Sequence, residues 1–306
     1  MNELMASANI PEHVFPPPRH TFSYSSTSPS TPSSPTISYF QELATQHLHH
    51  LKHQQRNSTT SASDCRRKYT ARCLFLDIVT NKLHLHLNQN RDPSNPSAPK
   101  QKEGFKLYCD DLRPSNVLIN TRTGKISGVI DWEFTYGAPS EFTTVAPWWL
   151  LLQSPEDWED DLHLFLNRYR PRLKLFLEIL KKREDVLIAQ NQLLEEERLS
   201  IYMQRSIENE GEGEEEEGGG EGTGLFWICL AARYSSMFDE VYWGFLDERF
   251  FGSFTSLEQR MGLLSEEQRL EMEALAREKM GEWDGSEGKG EEGFVDHYPI
   301  DKLLEV

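Results

Sequence analysis

Apolar residues recur at three- and four-residue steps after Ser38. Tyr39, Phe40, Leu43, Ala44, Leu48 and Leu51 share one face, and the period predicts a helix with Ser38 as its N-cap. A second helix is predicted over "DCRRKYTARCLFLDIVTNKLHLHL", with Asp64 at its start and Tyr69, Cys73, Leu74 and Ile78 turned inward. Pro, Asn and Ser break the pattern in "NQNRDPSNPSAPKQKEG", which reads as a loop. The period then shortens to two. "FKLYC" alternates in part, "NVLIN" and "KISGVI" are β-branched runs, and "TRTGK" between them carries turn chemistry. From Pro147 the helical pattern returns, through "PEDWEDDLHLFLNRYRPRLKLFLEILKKREDVLIAQ" and again in "SEEQRLEMEALAREKM". The expected fold class is therefore α+β and mainly helical, with a small β-hairpin and no internal repeat.

Three stretches lack the apolar side chains that would offset the entropy of ordering them. Residues 1–36 are dominated by Pro, Ser and Thr and are expected to be disordered. An acidic, Gly-rich loop over 207–223 is expected to be a self-repelling spacer, and 281–306 a solvated tail. The folded part is expected to run from 37 to 280.

Composition narrows the function classes. The chain has 306 residues, a hydrophobic share of 37% and a formal net charge of -17. Eight glutamates between Glu208 and Glu221 supply nearly half of that excess. An acidic chain repels phosphate backbones, so no nucleic-acid partner is expected, and the same charge argues against an anionic-membrane partner. The N-terminal residues lack a cationic head with an apolar core, and the longest apolar run, "LFWICLAA", is too short to span a bilayer. Four scattered cysteines form no C-x-x-C. A reducing, cytoplasmic setting fits.

The candidate chemistry lies in "YCDDLRPSNVLI". Asp111, Arg113 and Asn116 stand on a loop stiffened by Pro114, just ahead of a β-prone run. With Thr123 and Gly124 at the centre of the turn, the returning strand sets Asp131 opposite Asn116. Asp111, Asn116 and Asp131 would then converge as oxygen donors from separate segments, an arrangement that suits a hard divalent cation. Elsewhere His47, His49, His50 and His53 include an i,i+4 pair with zinc-ligand spacing, although a solvated helix face is the simpler reading. Trp148 and Trp149, next to Pro147, read as aromatic core.

"CDDLRPSNVLI" followed by "GVIDWEFT" resembles the catalytic and metal-binding loops of the aminoglycoside phosphotransferase family, which has a protein-kinase-like fold. "HLHHLKHQQRN", "DCRRKYTARCLF", "APWWLLLQSPEDW", "LFWICLAARYSSMFDEVYW" and "DERFFG" resemble the C-terminal lobe of a fungal branch of that family, over residues 38–252. The resemblance implies ATP- and magnesium-dependent transfer of phosphate to a small-molecule hydroxyl. Asp111 would be the base, Asn116 and Asp131 would hold Mg2+ and the nucleotide phosphates, and Arg113 would assist. Cys109 stands where the family more commonly has a His that braces the loop. No Gly-rich loop precedes Ser38 and the first lysine is Lys52, so the N-lobe that covers the nucleotide is expected to be missing and activity impaired. The rival expectation is an inactive pseudokinase or truncated relic serving as a binding module, or an incomplete reading of a longer gene. Surface normally covered by that lobe would leave the chain prone to weak self-association.

Overall fold

The structure is a computed structural model that describes residues 35–53, 59–83, 105–151, 153, 155–158, 162–207 and 222–284. The Pro/Ser/Thr tract up to residue 34, the Pro/Asn loop with His84 and His86, the acidic run 208–221 and the tail from 285 lie outside the described residues. Among the described residues the chain is a mainly helical α+β protein with nine α-helices and two antiparallel two-stranded sheets. No described helix is long and apolar enough to cross a membrane.

Two compact units divide the chain, one from Glu42–Asp77 and the segment after Phe254, the other from Ser33–Gln41 and Ile78–Ser253. Helix α1 (Pro35–His53) contributes residues to both. It begins three residues ahead of the expected cap at Ser38. Its buried stripe is Phe40, Leu43, Ala44, His47 and Leu51, so His47 takes the inward place that the sequence reading assigned to Leu48.

In the first unit α2 (Ala62–Asp77) packs against α9 (Glu266–Asp284), with Tyr69, Cys73, Leu74 and Phe75 on one side and Met272, Leu275 and Ala276 on the other all buried. The cap of α2 is Ser61, and Asp64 stands in the first turn as expected. The Ser61 hydroxyl accepts from the Asp64 N–H at 3.1 Å, and the Asp64 carboxylate reaches back to accept from the Thr60 N–H at 2.8 Å. Ser265 and Gln268 cap α9 reciprocally, at 3.1 and 2.9 Å. Across the pair, Arg66 grips Glu273 with two bonds of 2.7 and 2.8 Å. Glu271 accepts from Lys52 and from the Tyr69 hydroxyl.

In the second unit the α2 helix runs on through a π-turn over Ile78–Lys82 to Leu83, and the rest of the expected helix, 84–87, lies outside the described residues. After the four strands come the 28-residue α3 (Leu162–Ala189), α4 (Leu199–Ile207) and α5 (Leu225–Arg233). Ile207, assigned by sequence to the acidic loop, is a buried last residue of α4. Every residue of α5 from Leu225 to Ala232 is buried, which identifies it as the core helix of this unit. Trp227 stacks on Phe245 at 3.7 Å between ring centres. Gly224 enters α5 with φ +65°, and a Cβ there would lie 2.8 Å from the Arg249 side chain. The short helices α6 (Phe238–Val241) and α7 (Asp247–Phe251) follow, and α8 (Leu257–Met261) opens the return to the first unit.

The pH dependence of the first unit follows from Glu271. Burial raises its carboxyl pKa, but hydrogen bonds from Lys52 and Tyr69 outweigh this and hold it below the ordinary value. A depressed folded-state value means stability that is present at neutral pH and lost as the pH falls through that value. Thermal midpoints of wild type should therefore drop more between pH 6 and pH 3 than those of Glu271→Gln, as followed by circular dichroism.

Candidate functional site

The four strands are nested. β1 (Phe105–Cys109) pairs antiparallel with β4 (Thr135–Pro139), and between them in sequence β2 (Val117–Asn120) pairs with β3 (Lys125–Val129). Loop 110–116 therefore leaves the outer pair for the inner one at the junction where loop 130–134 returns. Two backbone bonds hold the loops together. The Asp110 N–H donates to the Phe134 carbonyl at 3.2 Å, and the Ile130 N–H donates to the Asn116 carbonyl at 2.9 Å. The Cys109 thiol adds a weak donor contact to the Asp131 carbonyl at 3.9 Å.

The register differs from the expected one. The turn holds four residues, 121–124, because the Asn120 side chain accepts from the N–H groups of Arg122 and Thr123 and closes the last rung there. Gly124 supplies the left-handed turn residue at φ +65°. An irregularity between Leu118 and Ile119 recovers one position. Asn116 consequently stands level with Ile130, and Asp131 lies one residue beyond the rung. Leu118, Ile119 and Ile126 on this hairpin are exposed.

Within loop 110–116 three candidate residues touch. Arg113 is extended, φ -136° and ψ 164°, as a residue before proline must be, and Pro114 opens a single turn ending at Asn116. The Arg113 guanidinium meets the Asp111 carboxylate at 2.9 Å. The Asn116 amide, only 5% exposed, donates to the Asp111 carbonyl at 2.8 Å and to its carboxylate at 2.9 Å. Both bonds use the amide nitrogen. The amide oxygen keeps only a contact at 3.4 Å from the Ser115 hydroxyl, which leaves it available as a ligand atom.

Asp131 contributes differently. It is exposed, and its backbone is left-handed at φ 58°, a conformation that costs a residue with a Cβ. Among the described residues its carboxylate makes no hydrogen bond or ion pair. Three oxygen donors, two of them carboxylates, are the chemistry that a hard divalent cation takes, so these residues fit such an ion by donor type. No three His, Cys, Asp or Glu side chains gather as metal ligands among the described residues; this set counts only two carboxylates. The histidines are solvated only in part: His53 is exposed and His49 half-buried, whereas His47 is buried edge-on to Phe75, and burial with the nearby Arg72 charge pushes His50 down to about 4, so it is neutral at physiological pH.

The same loop walls a cavity of about 280 Å³. Asp110 and Leu112, the neighbours of Asp111, line it together with Trp148 and Trp149. Arg233, the last residue of α5, forms an ion pair with Asp110, donates to the Tyr108 hydroxyl at 3.3 Å, and lies 5.2 Å from the Phe142 ring centre. Sequence reasoning missed β4 and this ion pair. A lone cation closing an otherwise apolar helix, "LFWICLAAR", was the signal for the second. The Cys229 thiol, also in the wall, is pushed well above its ordinary value by burial and by Glu141, so it is no nucleophile at neutral pH. Comparison of the chain with protein-family models, curated proteins and solved structures found no match.

The left-handed backbone at residue 131 sets a stability order. Glycine carries no steric penalty there, while alanine keeps the Cβ. Asp131→Gly should be at least as stable as wild type and about 1 kcal/mol more stable than Asp131→Ala, the unfolded-state entropy of glycine offsetting part of the gain. Urea unfolding of the three proteins measures the order.

Proposed function

We propose that this chain is a kinase-like C-lobe whose chemistry is transfer of phosphate from ATP to the hydroxyl of a small molecule. The reading is carried by one observation: a buried asparagine holds Asp111 in place while its own amide oxygen remains open, beside a strand return that ends at the strained and exposed Asp131. In this reading Asp111 accepts the proton of the attacking hydroxyl. The acceptor oxygen bonds to the γ-phosphorus, the bond from that phosphorus to the bridging oxygen breaks, and ADP leaves with the electron pair. Arg113 steadies the Asp111 carboxylate and offsets negative charge near the transferred group. Asn116 and Asp131 would hold Mg2+, which supplies charge neutralisation on the phosphates when bound.

A second reading, that of an inactive binding module, is favoured by a specific feature of the same loop. Both carboxylate oxygens of Asp111 already have partners within the loop, Arg113 on one and Asn116 on the other. A loop closed on itself in this way can be purely structural.

Isothermal titration of Mg2+ and ATP into the intact chain separates the two. The phosphotransferase reading expects saturable heat that Asp131→Ala abolishes, and turnover that falls about 10²- to 10⁴-fold in Asp111→Asn. Absence of heat in wild type leaves the binding-module reading. The exposed Leu118, Ile119 and Ile126 also support weak self-association, and sedimentation velocity at rising concentration should show an increasing mean mass.

A further inference from the structure

The cavity beside the candidate loop has a composition that selects its ligand. Its rings include Phe142, Trp148, Trp149 and Phe176, with Trp149 edge-on to Phe176 at 5.9 Å. Asp110 and Arg233 are its only charged lining residues among those described, and they neutralise each other. A cation or anion entering this half-open space would lose part of its hydration and find each countercharge already taken, a cost that an uncharged molecule avoids. Aromatic walls favour a flat apolar body that can meet ring edges and faces. At about 280 Å³ the space is at the small end of ligand sites, suited to one or two rings.

We infer that this cavity binds an uncharged one- or two-ring aromatic compound. The inference goes beyond the phosphotransferase reading and does not depend on it; binding is independent of nucleotide. Asp110 and Leu112 line the cavity, whereas Asp111 between them does not, so a ring seated there lies against the loop that carries the proposed base.

Three compounds with a common ring and different charge test this: 2-phenylethanol, 2-phenylethylamine as its cation, and phenylacetate. Saturation-transfer NMR titrations on the full chain, without nucleotide, should show 2-phenylethanol binding at least tenfold more tightly than either charged compound. The affinity should fall at least tenfold in Trp149→Ala. Because Trp149 is half-buried, Val145→Phe serves as a second variant that fills the cavity while keeping its rings, and it too should abolish binding. Equal or tighter binding of a charged compound, binding that survives Val145→Phe, or no saturable binding by folded wild type overturns the proposal. The two readings fail separately. Nucleotide heat without alcohol binding removes the aromatic ligand and leaves the transfer; alcohol binding without nucleotide heat does the reverse.

Discussion

The pairing of β1 with β4 around the inner pair β2–β3 is the constraint on which the candidate site depends. A hairpin alone would bring Asn116 and Ile130 level but leave both loops free to splay beyond that rung. The outer pairing closes them from the other side, so loops 110–116 and 130–134 are each tied at both ends. The first loop is the longer by two residues, and the turn at Pro114–Asn116 takes up the surplus. Proline is suited to that work because its φ is already set and the N–H it lacks would have had no partner at the start of the turn.

Polar satisfaction then shapes the loop without help from a ligand. A carboxamide as buried as that of Asn116 would cost about 1–3 kcal/mol if its donors were left unpaired. The Asp111 carbonyl and carboxylate are within reach of the same nitrogen and remove that cost. Arg113 occupies the remaining carboxylate oxygen. The loop is thus arranged before anything binds, which is the condition under which fixed dipoles and charges help a reaction most. Cys109 ties β1 to the Asp131 carbonyl through one weak S–H contact.

Much of the fold was legible because hydrophobic burial is periodic. The stripes of α1, α2 and α9 could be read from spacing, and the errors follow from residue type rather than period. His47 sits seven residues after Phe40, three after Ala44 and four before Leu51, nearer the centre of that stripe than Leu48; its polarity hid it. β4 was illegible for the opposite reason. "TYGAP" holds a Gly and a Pro within five residues, weak strand material that is ordered by pairing with β1, a tertiary cause that no local window contains. The candidate site was legible as a set of residues but not as a register. The Asn120 side-chain cap and the irregularity after Leu118 together moved Asp131 one place past Asn116, and neither has a strong sequence signature.

Departures from local rules separate what the fold needs from what it merely carries. Two residues other than glycine have positive φ among those described, Asp131 and Asn191. Asn191 has an ordinary task. It ends α3 with the Asn191 N–H on the Ile188 carbonyl and the Gln192 N–H on the Leu187 carbonyl, the pair of bonds that closes a helix through a left-handed residue. Asp131 closes no helix, and glycine would fill its backbone role at lower cost. The fold therefore has no use for the carboxylate at that position, whereas the proposed metal site does. Arg233 presents the same contrast from within the core: α5 buries every other side chain as apolar surface, and its one cation is spent on Asp110, beside the proposed base. The two exceptions stand at the two loops that the nested strands hold in place, and consistency elsewhere in the chain is what gives them weight.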